Sequence, residues 1–335
     1  MFSKSQTLIT GVYRTGSEYL TQLLNCHPQI NASMYAVNML RFMYDRYSPI
    51  SEEVNYLRAI ADTSERLLER YQIELNQNDV LALLKQTSKV DYGNLYDAIM
   101  SALYLNSSRA HWAEKNQLLW REIPKFLELM PNGKSILIIR DPRSVLASFK
   151  RYTYAPAPAY LGSVFNCFDA MLNAKKYLRD LPMDKFHLVR YEDLVRSPQQ
   201  YAEQLWNFIG LDKTAKINQR QDWLDAYGNA WNSNSSFEEN NDEAKFDINA
   251  SIDRWRENID DTELSIVEAV CAPLMKDFGY ELACNNSANW PEVLKLFIGD
   301  VQVSRYFELW LQRGKGIQEF PTDPTQKENW SENRI

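Results

Sequence analysis

The chain has 335 residues, which is enough for one large domain or two ordinary ones with a sizeable core. Its 37 basic and 44 acidic residues give a formal net charge of −7, which argues against a protein that coats nucleic acid. No run of about 18 or more apolar residues occurs, so we expect no membrane-spanning helix.

The first residues and the cysteines bear on the cellular compartment. Residues 1–6 lead directly into the first predicted strand, so we expect no signal peptide. The cysteines show no CxxC or metal-ligand spacing, so we expect reduced thiols, no metal site and a cytoplasmic protein. These cysteines are Cys26, Cys167, Cys271 and Cys284.

A glycine-bracketed turn follows the first predicted strand and opens a predicted helix. Gly11 and Gly16 have the GxxxxG spacing of a phosphate-binding loop, but Ser17 and Glu18 stand where a nucleotide kinase has its Lys-[Ser/Thr] pair. Arg14 instead carries positive charge inside the loop, whose backbone N–H groups and helix N-terminus favour an anion. The pattern predicts a phosphate cradle with no obvious metal site. A plain strand-turn-helix connection is the alternative interpretation.

The first strand is predicted at residues 7–12 and the helix at residues 16–26. Residues 35–130 then read as mostly helical, without the alternation typical of strands. Leucine-rich stripes at helical spacing support this reading, for example Leu57, Ile60, Leu67, Leu68 and Tyr71. We expect a large helical insertion above the sheet, in a position to recognise a substrate.

A second anion-binding pattern lies near the middle of the chain. Ile136–Ile139 predict a buried parallel strand, and Asp141 then fits the N-cap of a helix. Arg140 thus lies where the strand ends, which is the position where open α/β sheets bind ligands. Its guanidinium can bind a phosphate through two hydrogen bonds, and Ser148 can add a hydroxyl. The alternative is that Arg140 merely pairs with Asp141 or Asp193.

The remaining segments continue the alternation of helices and strands. A helix is predicted over 160–180, a strand over 186–191 and a helix from 198 that stops at Gly210. Residues 228–247 are rich in Asn, Ser, Glu and Asp and predict a loop. A last helix of this region is predicted to begin near Asp260, with a capping box to Glu263.

This order of elements predicts an α/β fold: a three-layer P-loop fold with a central parallel sheet, helices on both faces and the insertion at 35–130. We assign residues 1–285 to this domain and residues 286–335 to a C-terminal extension. Residues 290–312 are too apolar for a free tail and are expected to dock. Residues 313–335 are polar and are expected to be loose.

Together these segments resemble the sulfotransferases that use 3′-phosphoadenosine 5′-phosphosulfate (PAPS) as the sulfuryl donor. In that family a loop of the form [Arg/Lys]-x-Gly-[Ser/Thr] holds the 5′-phosphosulfate, and residues 14–17 match it. A later Arg-Asp-Pro-Arg…Ser motif holds the 3′-phosphate, and Arg140 and Ser148 fall on its two positions. Further matches follow in order: His27-Pro28, Arg190-Tyr191-Glu192-Asp193-Leu194, Lys245 and Arg254-Trp255-Arg256-Glu257-Asn258.

The resemblance implies a metal-independent sulfotransferase that moves the sulfuryl group in line to a hydroxyl of a saccharide or small-molecule acceptor. The loop looks more like that of bacterial carbohydrate sulfotransferases than that of cytosolic phenol ones. Arg14 is implied as a catalytic residue on the leaving phosphate, and Lys115 as one near the transferred group. The implied PAPS-binding residues are Arg14, Thr15, Gly16, Ser17, Glu18, Tyr19, Arg140, Ser148, Tyr191 and Lys245.

The general base is where this chain departs from the family. Many members carry a Glu shortly after the His-Pro, but residues 31–35 contain no carboxylate. Residues 114–117 match the family's Asp-Lys-[Thr/Ser]-Pro segment, so Glu114 and His111 are candidate proton acceptors. A solvated Glu-Lys pair at the end of a helix is the alternative. Glu18 is a second departure, because the family usually has a hydroxyl there and a carboxylate repels a phosphosulfate unless it points outward.

Two other functions remain open on the sequence. A P-loop kinase or NTPase predicts Mg²⁺ dependence and an acidic residue at the end of an apolar strand, whereas Ile136–Ile139 is followed by Arg140. A non-catalytic nucleotide-binding relative fits the missing Glu after His27-Pro28.

Overall fold

The computed structural model describes residues 2–106, 108–152, 157–218, 222–224, 230–231, 248–283, 289–317 and 323–330. Its strands are β1 (Ser5–Gly11), β2 (Ile30–Ser33), β3 (His111–Lys115), β4 (Lys134–Ile139) and β5 (Phe186–Arg190). They form one five-stranded sheet in the order β2-β3-β1-β4-β5, and all neighbours are parallel. The strands predicted at 7–12, Ile136–Ile139 and 186–191 are confirmed as β1, β4 and β5.

The helices that the structure describes surround this sheet. They are α1 (Ser17–Asn25), α2 (Glu53–Tyr71), α3 (Gln77–Leu84), α4 (Tyr92–Tyr104), α5 (Ile123–Leu129), α6 (Pro142–Tyr152), α7 (Gly162–Asp180), α8 (Tyr191–Arg196), α9 (Pro198–Ile209), α10 (Ile248–Asp253), α11 (Trp255–Asn258), α12 (Asp261–Asp277), α13 (Trp290–Gly299) and α14 (Val301–Arg313). None of them is long and apolar enough to cross a membrane.

Helices cover both faces of the sheet. Successive side chains of a strand point to opposite faces, so neighbouring residues of β1 show what packs on each face. Ile9 of β1 belongs to a core that includes Leu20 of α1 and residues of α9. Leu8, its neighbour, belongs to the larger core, which includes Val164 of α7 and Val270 of α12. Both faces are therefore buried, and the predicted three-layer α/β fold is confirmed.

The insertion between β2 and β3 consists of a π-helix (Met39–Met43) and helices α2, α3 and α4. The expectation that 35–130 lacks strands is wrong, because β3 lies there and pairs with both β2 and β1. All five residues of β3 are buried, yet they include His111, Glu114 and Lys115, whose polar atoms find partners inside the protein. The apolar run typical of a buried parallel strand is therefore missing from β3.

Helix α12 begins as its sequence predicts. The side chain of Asp260 accepts the N–H of Glu263 at 2.8 Å, and the side chain of Glu263 accepts the N–H of Asp260 at 2.9 Å. Helix α14 then packs against α7, where the ring centroids of Phe165 and Phe307 are 5.1 Å apart. The C-terminal extension thus contributes to the larger core.

The expectation of a loose polar tail is wrong for residues 323–330. Trp330 is fully buried, and its ring lies 5.8 Å from that of Phe42 in the π-helix. Arg46 donates to the carbonyl of Thr325 at 2.7 Å, and Arg70 donates to that of Asn329 at 3.2 Å. One buried aromatic ring and two arginines of the insertion hold this segment, although its average composition is polar.

Candidate active site

The loop between β1 and α1 forms the floor of the candidate site. Thr15 folds the loop back, since its N–H and its hydroxyl both donate to the carbonyl of Val12, at 3.3 and 2.7 Å. Arg14 and Gly16 adopt left-handed backbone, with φ of +70° and +90°. Gly16 is the N-cap of α1 and brings no side chain to the helix start. The N–H groups of the first turn, from Ser17 onward, are therefore positioned to bind an anion.

The ring of Tyr191, at the start of α8, covers one side of this loop. A Cβ atom on Gly16 would lie only 2.3 Å from the ring, so this close approach requires a glycine. The guanidinium carbon of Arg140 lies 4.2 Å from the centre of the same ring, a cation–π contact. Arg140 also donates to the carbonyl of Arg14 at 2.8 Å. The ends of β1, β4 and β5 thus meet at one place.

Arg14 and Ser148 join the two predicted phosphate-binding segments directly. Although 134 positions separate them, Arg14 Nε donates to Ser148 Oγ at 3.0 Å. Ser148 lies on α6, and its side chain is only 5% exposed. The structure therefore brings together Arg14, Gly16, Arg140, Ser148 and Tyr191.

Arg140 is not neutralised by the acidic residues that follow it. Asp141 pairs with Arg143 at 2.7 Å, and Asp193 pairs with Arg190 at 3.5 Å. The interpretation of Arg140 as a partner of those two carboxylates is therefore wrong. Its Nε is buried and has no hydrogen-bond partner among the described residues. The other two nitrogens of the guanidinium donate to the carbonyls of Arg14 and Ser251, and the binding of a phosphate by Arg140 stays a prediction.

A buried network holds the turn that carries Arg140. Glu192 accepts the backbone N–H of Asp141 at 2.9 Å and the hydroxyl of Tyr280 at 3.0 Å, and burial raises the pKa of Glu192. The guanidinium of Arg143 stacks on the buried ring of Trp255 at 4.1 Å. These contacts fix the position of the turn. Trp255, in the segment that resembles the family's late motif, therefore supports the turn from behind and does not line the site.

The segment after β3 closes the other side of the cradle. Lys115 Nζ lies 3.2 Å from Glu18 Oε1 in the first turn of α1, and Gln117 Nε2 donates to Ser17 Oγ at 3.0 Å. The N–H of Leu118 donates to the carbonyl of Gly11 at 3.0 Å. Lys115 thus lies beside the first turn of α1, and its predicted role near the transferred group stays a prediction. Gln117 carried no functional signal in the sequence, since only the tertiary contact gives it a role.

Glu114 and His111 lie away from the cradle. Glu114 points to the opposite face of the sheet from Lys115, and its carboxylate accepts the N–H of Asn38 at 2.8 Å and the hydroxyl of Tyr96. It is 1% exposed, and burial raises its pKa. His111 begins β3, about 13 Å before Lys115 at 3.3 Å per residue. The idea of a solvated Glu-Lys pair is wrong, and His111 is at the wrong end of the strand for proton transfer.

The remaining predicted residues contribute in other ways. The ring of Tyr19 is buried against Trp223, at 5.4 Å between centroids, so Tyr19 offers its backbone N–H rather than its side chain. Lys245 lies outside the described residues. Within the described part of the chain, no group of three or more His, Cys, Asp or Glu residues is arranged to hold a metal ion.

Known proteins share parts of this sequence. The model of the sulfotransferase family matches residues 7–215, more than half of the chain. Carbohydrate sulfotransferase 3 of Tetronarce californica is 30% identical over 169 residues, which cover 45% of this chain and 36% of that protein. The human protein of the same name is 29% identical over 175 residues, covering 46% and 34%. The match thus spans about a third of the length of these curated relatives.

Solved structures show the same fold. The sulfotransferase domain of the olefin synthase of Synechococcus PCC 7002 has a TM-score of 0.58 at 19% identity, covering 84% of this chain and 96% of that domain. The sulfotransferase domain from the curacin biosynthetic pathway has a TM-score of 0.50 at 20% identity, covering 83% and 98%. These similarities concern the fold, whereas the family match concerns the sequence itself. The chain belongs to the sulfotransferase family.

Proposed function

We propose that this protein transfers the sulfuryl group of PAPS to a hydroxyl of a carbohydrate acceptor. The observation that carries the proposal is the contact between the two phosphate-binding segments, where Arg14 Nε lies 3.0 Å from Ser148 Oγ. A nucleotide with phosphates at both its 5′ and 3′ positions offers one anion to the cradle and a second to Arg140. A nucleotide without the 3′-phosphate offers no anion to Arg140.

The residues of the cradle suit a sulfuryl donor better than a kinase donor. A kinase loop uses a Lys on the β- and γ-phosphates and a hydroxyl on Mg²⁺. Here Arg14 replaces that Lys, and the hydroxyl of Ser17 accepts a hydrogen bond from Gln117. Glu18 is paired with Lys115. Protein cations thus take the place that Mg²⁺ has in phosphoryl transfer.

The donor supplies a sulfur atom that is open to in-line attack. In the transfer, the bond from sulfur to the acceptor oxygen forms while the bond from sulfur to the 5′-phosphate oxygen breaks, 3′-phosphoadenosine 5′-phosphate leaves, and the acceptor hydroxyl releases its proton to the solvent. We assign Arg14 and the N–H groups of residues 17–19 to the charge that develops on the leaving phosphate. We assign Lys115 to the sulfuryl oxygens. Loss of one such preorganised donor typically costs about 10²–10³ in rate.

Glu114 does not serve as the proton acceptor in the position observed here. It is buried, it faces the insertion, and it already accepts hydrogen bonds from Asn38 and Tyr96. Its role in this proposal is to anchor the insertion to β3, next to Lys115. The catalytic assignment therefore rests on Arg14 and Lys115.

The carbohydrate acceptor is supported by the two relatives named as carbohydrate sulfotransferases. Aromatic side chains on the insertion side of the cradle fit such an acceptor. Tyr13 adjoins Arg14 and is half-buried, and Tyr35, also half-buried, lies 5.3 Å from Tyr71 between ring centroids. Tyrosine rings present an apolar face with a polar tip, which suits a sugar ring.

Calorimetric titration with 3′-phosphoadenosine 5′-phosphate, without magnesium, tests the donor site. We expect binding by the wild type and a loss of at least about tenfold in affinity for Arg140→Ala, because charged hydrogen bonds contribute roughly 1.5–3 kcal/mol. Arg58→Ala is the matched control, since Arg58 lies on α2 with a 74% exposed side chain. No binding by the wild type, together with Mg²⁺-dependent binding of ATP, overturns the proposal in favour of a kinase.

A further inference from the structure

The ion pair between Lys115 and Glu18 lies inside the candidate donor site. Lys115 is only 7% exposed, and its Nζ is 3.2 Å from Glu18 Oε1, while Glu18 is 30% exposed. Lys115 lies opposite Ile9 in the register of β3 and β1, two residues before β1 ends in Gly11. The pair therefore spans from the sheet to the first turn of α1, across the place where the terminal group of a 5′-substituent lies.

The two segments that carry this pair are held rigidly. Asn116, which follows Lys115, donates its N–H to the carbonyl of Ile9 at 2.8 Å. Gln117 Nε2 donates to Ser17 Oγ at 3.0 Å, one residue before Glu18. The carboxylate and the ammonium are thus positioned by their backbones, and neither is a mobile surface group.

The pair changes the charge that the site presents to its ligand. Next to a helix N-terminus, a Lys without a carboxylate partner gives higher affinity to a ligand that carries more negative charge. Glu18 cancels the charge of Lys115, so the site keeps the hydrogen-bond donors but loses one positive charge. A terminal sulfuryl group carries one negative charge, whereas a terminal phosphoryl group carries about −1.5 to −2 at neutral pH.

We propose that Glu18 biases the choice of donor: its charge lowers the affinity of the terminal-group site for a doubly charged phosphoryl group more than its affinity for a singly charged sulfuryl group. This inference rests on the proposed function, because it assumes that the cradle holds a 5′-phosphosulfate. A terminal group that contacts Lys115 lies about 6 Å from the Glu18 carboxylate, and one extra unit charge at that distance changes affinity by about tenfold to a hundredfold.

The affinities for two ligands that differ only in the terminal group test the proposal. One is PAPS, and the other is 3′-phosphoadenosine 5′-diphosphate, in which phosphorus replaces sulfur. Both are titrated at pH 8 without magnesium into the wild type, Glu18→Gln and Glu18→Asp, and 3′-phosphoadenosine 5′-phosphate is titrated alongside. Thermal unfolding of each variant verifies that it folds.

We expect the affinity for the diphosphate, relative to that for PAPS, to be lower in the wild type than in Glu18→Gln. Glu18→Gln keeps the size of the side chain and removes its charge, so we expect the preference for PAPS over the diphosphate to fall by about tenfold, mainly through tighter binding of the diphosphate. Glu18→Asp keeps the charge and should keep most of the preference.

A preference that is equal in the wild type and in Glu18→Gln overturns the inference and leaves the pair a structural contact. An equal loss of affinity for both ligands in Glu18→Gln has the same meaning. Binding of 3′-phosphoadenosine 5′-phosphate distinguishes a failure of the proposal for Glu18 from a failure of the proposed function. If that ligand binds, only the proposed effect of Glu18 is overturned. If neither the wild type nor either variant binds it, the proposed function fails.

Discussion

The ring of Tyr191 lies against Gly16 so closely that a Cβ atom on the glycine would fall 2.3 Å from the ring. Tyr191 follows β5, and Gly16 follows β1, so the contact joins strands that are two places apart in the sheet. It seals one wall of the cradle and holds the aromatic ring under Arg140. The contact thus couples the loop to which we assign the 5′-phosphosulfate to the Arg to which we assign the 3′-phosphate.

Gly16→Ala tests this contact. We expect the affinity for 3′-phosphoadenosine 5′-phosphate to fall by more than about tenfold, because the new methyl group must displace Tyr191 and the φ of +90° strains an alanine by about 1–3 kcal/mol. Gly210→Ala is the matched control, since Gly210 has a φ of +89° but no atom within 4 Å of its Cβ position. Calorimetry and thermal unfolding measure both effects. Equal nucleotide affinities in the two variants would contradict the role given to Tyr191.

Ser148→Ala tests the bond between the two phosphate-binding segments. We expect about tenfold weaker binding of 3′-phosphoadenosine 5′-phosphate, since the hydroxyl 3.0 Å from Arg14 Nε is lost and a hydrogen bond to a charged group contributes about 1.5–3 kcal/mol. Ser163→Ala is the control: Ser163 is also buried, but it donates to the carbonyl of Tyr160. Unchanged binding in Ser148→Ala is the result that counts against the model of a joined site.

Trp330→Ala tests the docking of the C-terminal segment. The ring is fully buried against Phe42, so we expect the free energy of unfolding to fall by about 3 kcal/mol. Trp290→Ala, in which the original ring is 49% exposed, should change stability by less than about 1 kcal/mol. Denaturant unfolding monitored by circular dichroism gives both values. Similar losses in the two variants would show that segment 323–330 is not anchored by Trp330.

His111 predicts a specific pH dependence of stability. Burial, with Lys4 and His27 nearby, lowers the pKa of His111 to about 4, whereas an unfolded His has a pKa of about 6.5. Between these values the unfolded chain binds a proton that the folded chain does not. The contribution of His111 is therefore complete above pH 6.5 and is lost as the pH falls toward 4.

The difference in unfolding free energy between the wild type and His111→Gln isolates this effect. We expect the difference to shrink by up to about 3 kcal/mol as the pH falls from 7 to 4, and to stay constant below that. Denaturant unfolding at several pH values measures it. A difference that is independent of pH means that His111 titrates alike in both states.

The sequence predicts those parts of the fold that local patterns determine. β4 is recognisable because a parallel strand covered on both faces is usually rich in apolar residues, and Ile136, Leu137 and Ile138 have no exposed surface. The start of α12 was recognisable because a capping box needs only residues three apart. The cradle was recognisable for the same reason, since its turn and its helix start lie within seven residues of chain.

β3 could not be recognised in this way. Its burial is compatible with Glu114 and Lys115 only because Tyr96, Asn38 and Glu18 satisfy them, and these partners lie far away in the chain. A window of sequence contains no information about such partners. The pattern of β3 therefore resembled a solvated segment, although the strand lies inside the sheet.

By itself, the sequence determined the class of fold, the two anion-binding turns and the family resemblance, because each depends on residues close together in the chain. The tertiary structure alone decided that Tyr191 covers Gly16, that Arg14 binds Ser148 and that Lys115 pairs with Glu18. Each of these contacts joins elements that meet only when parallel strands end at the same edge of the sheet. The charge of the candidate site depends on these contacts, since the charges of an ammonium and a carboxylate cancel only where the fold brings the two groups together.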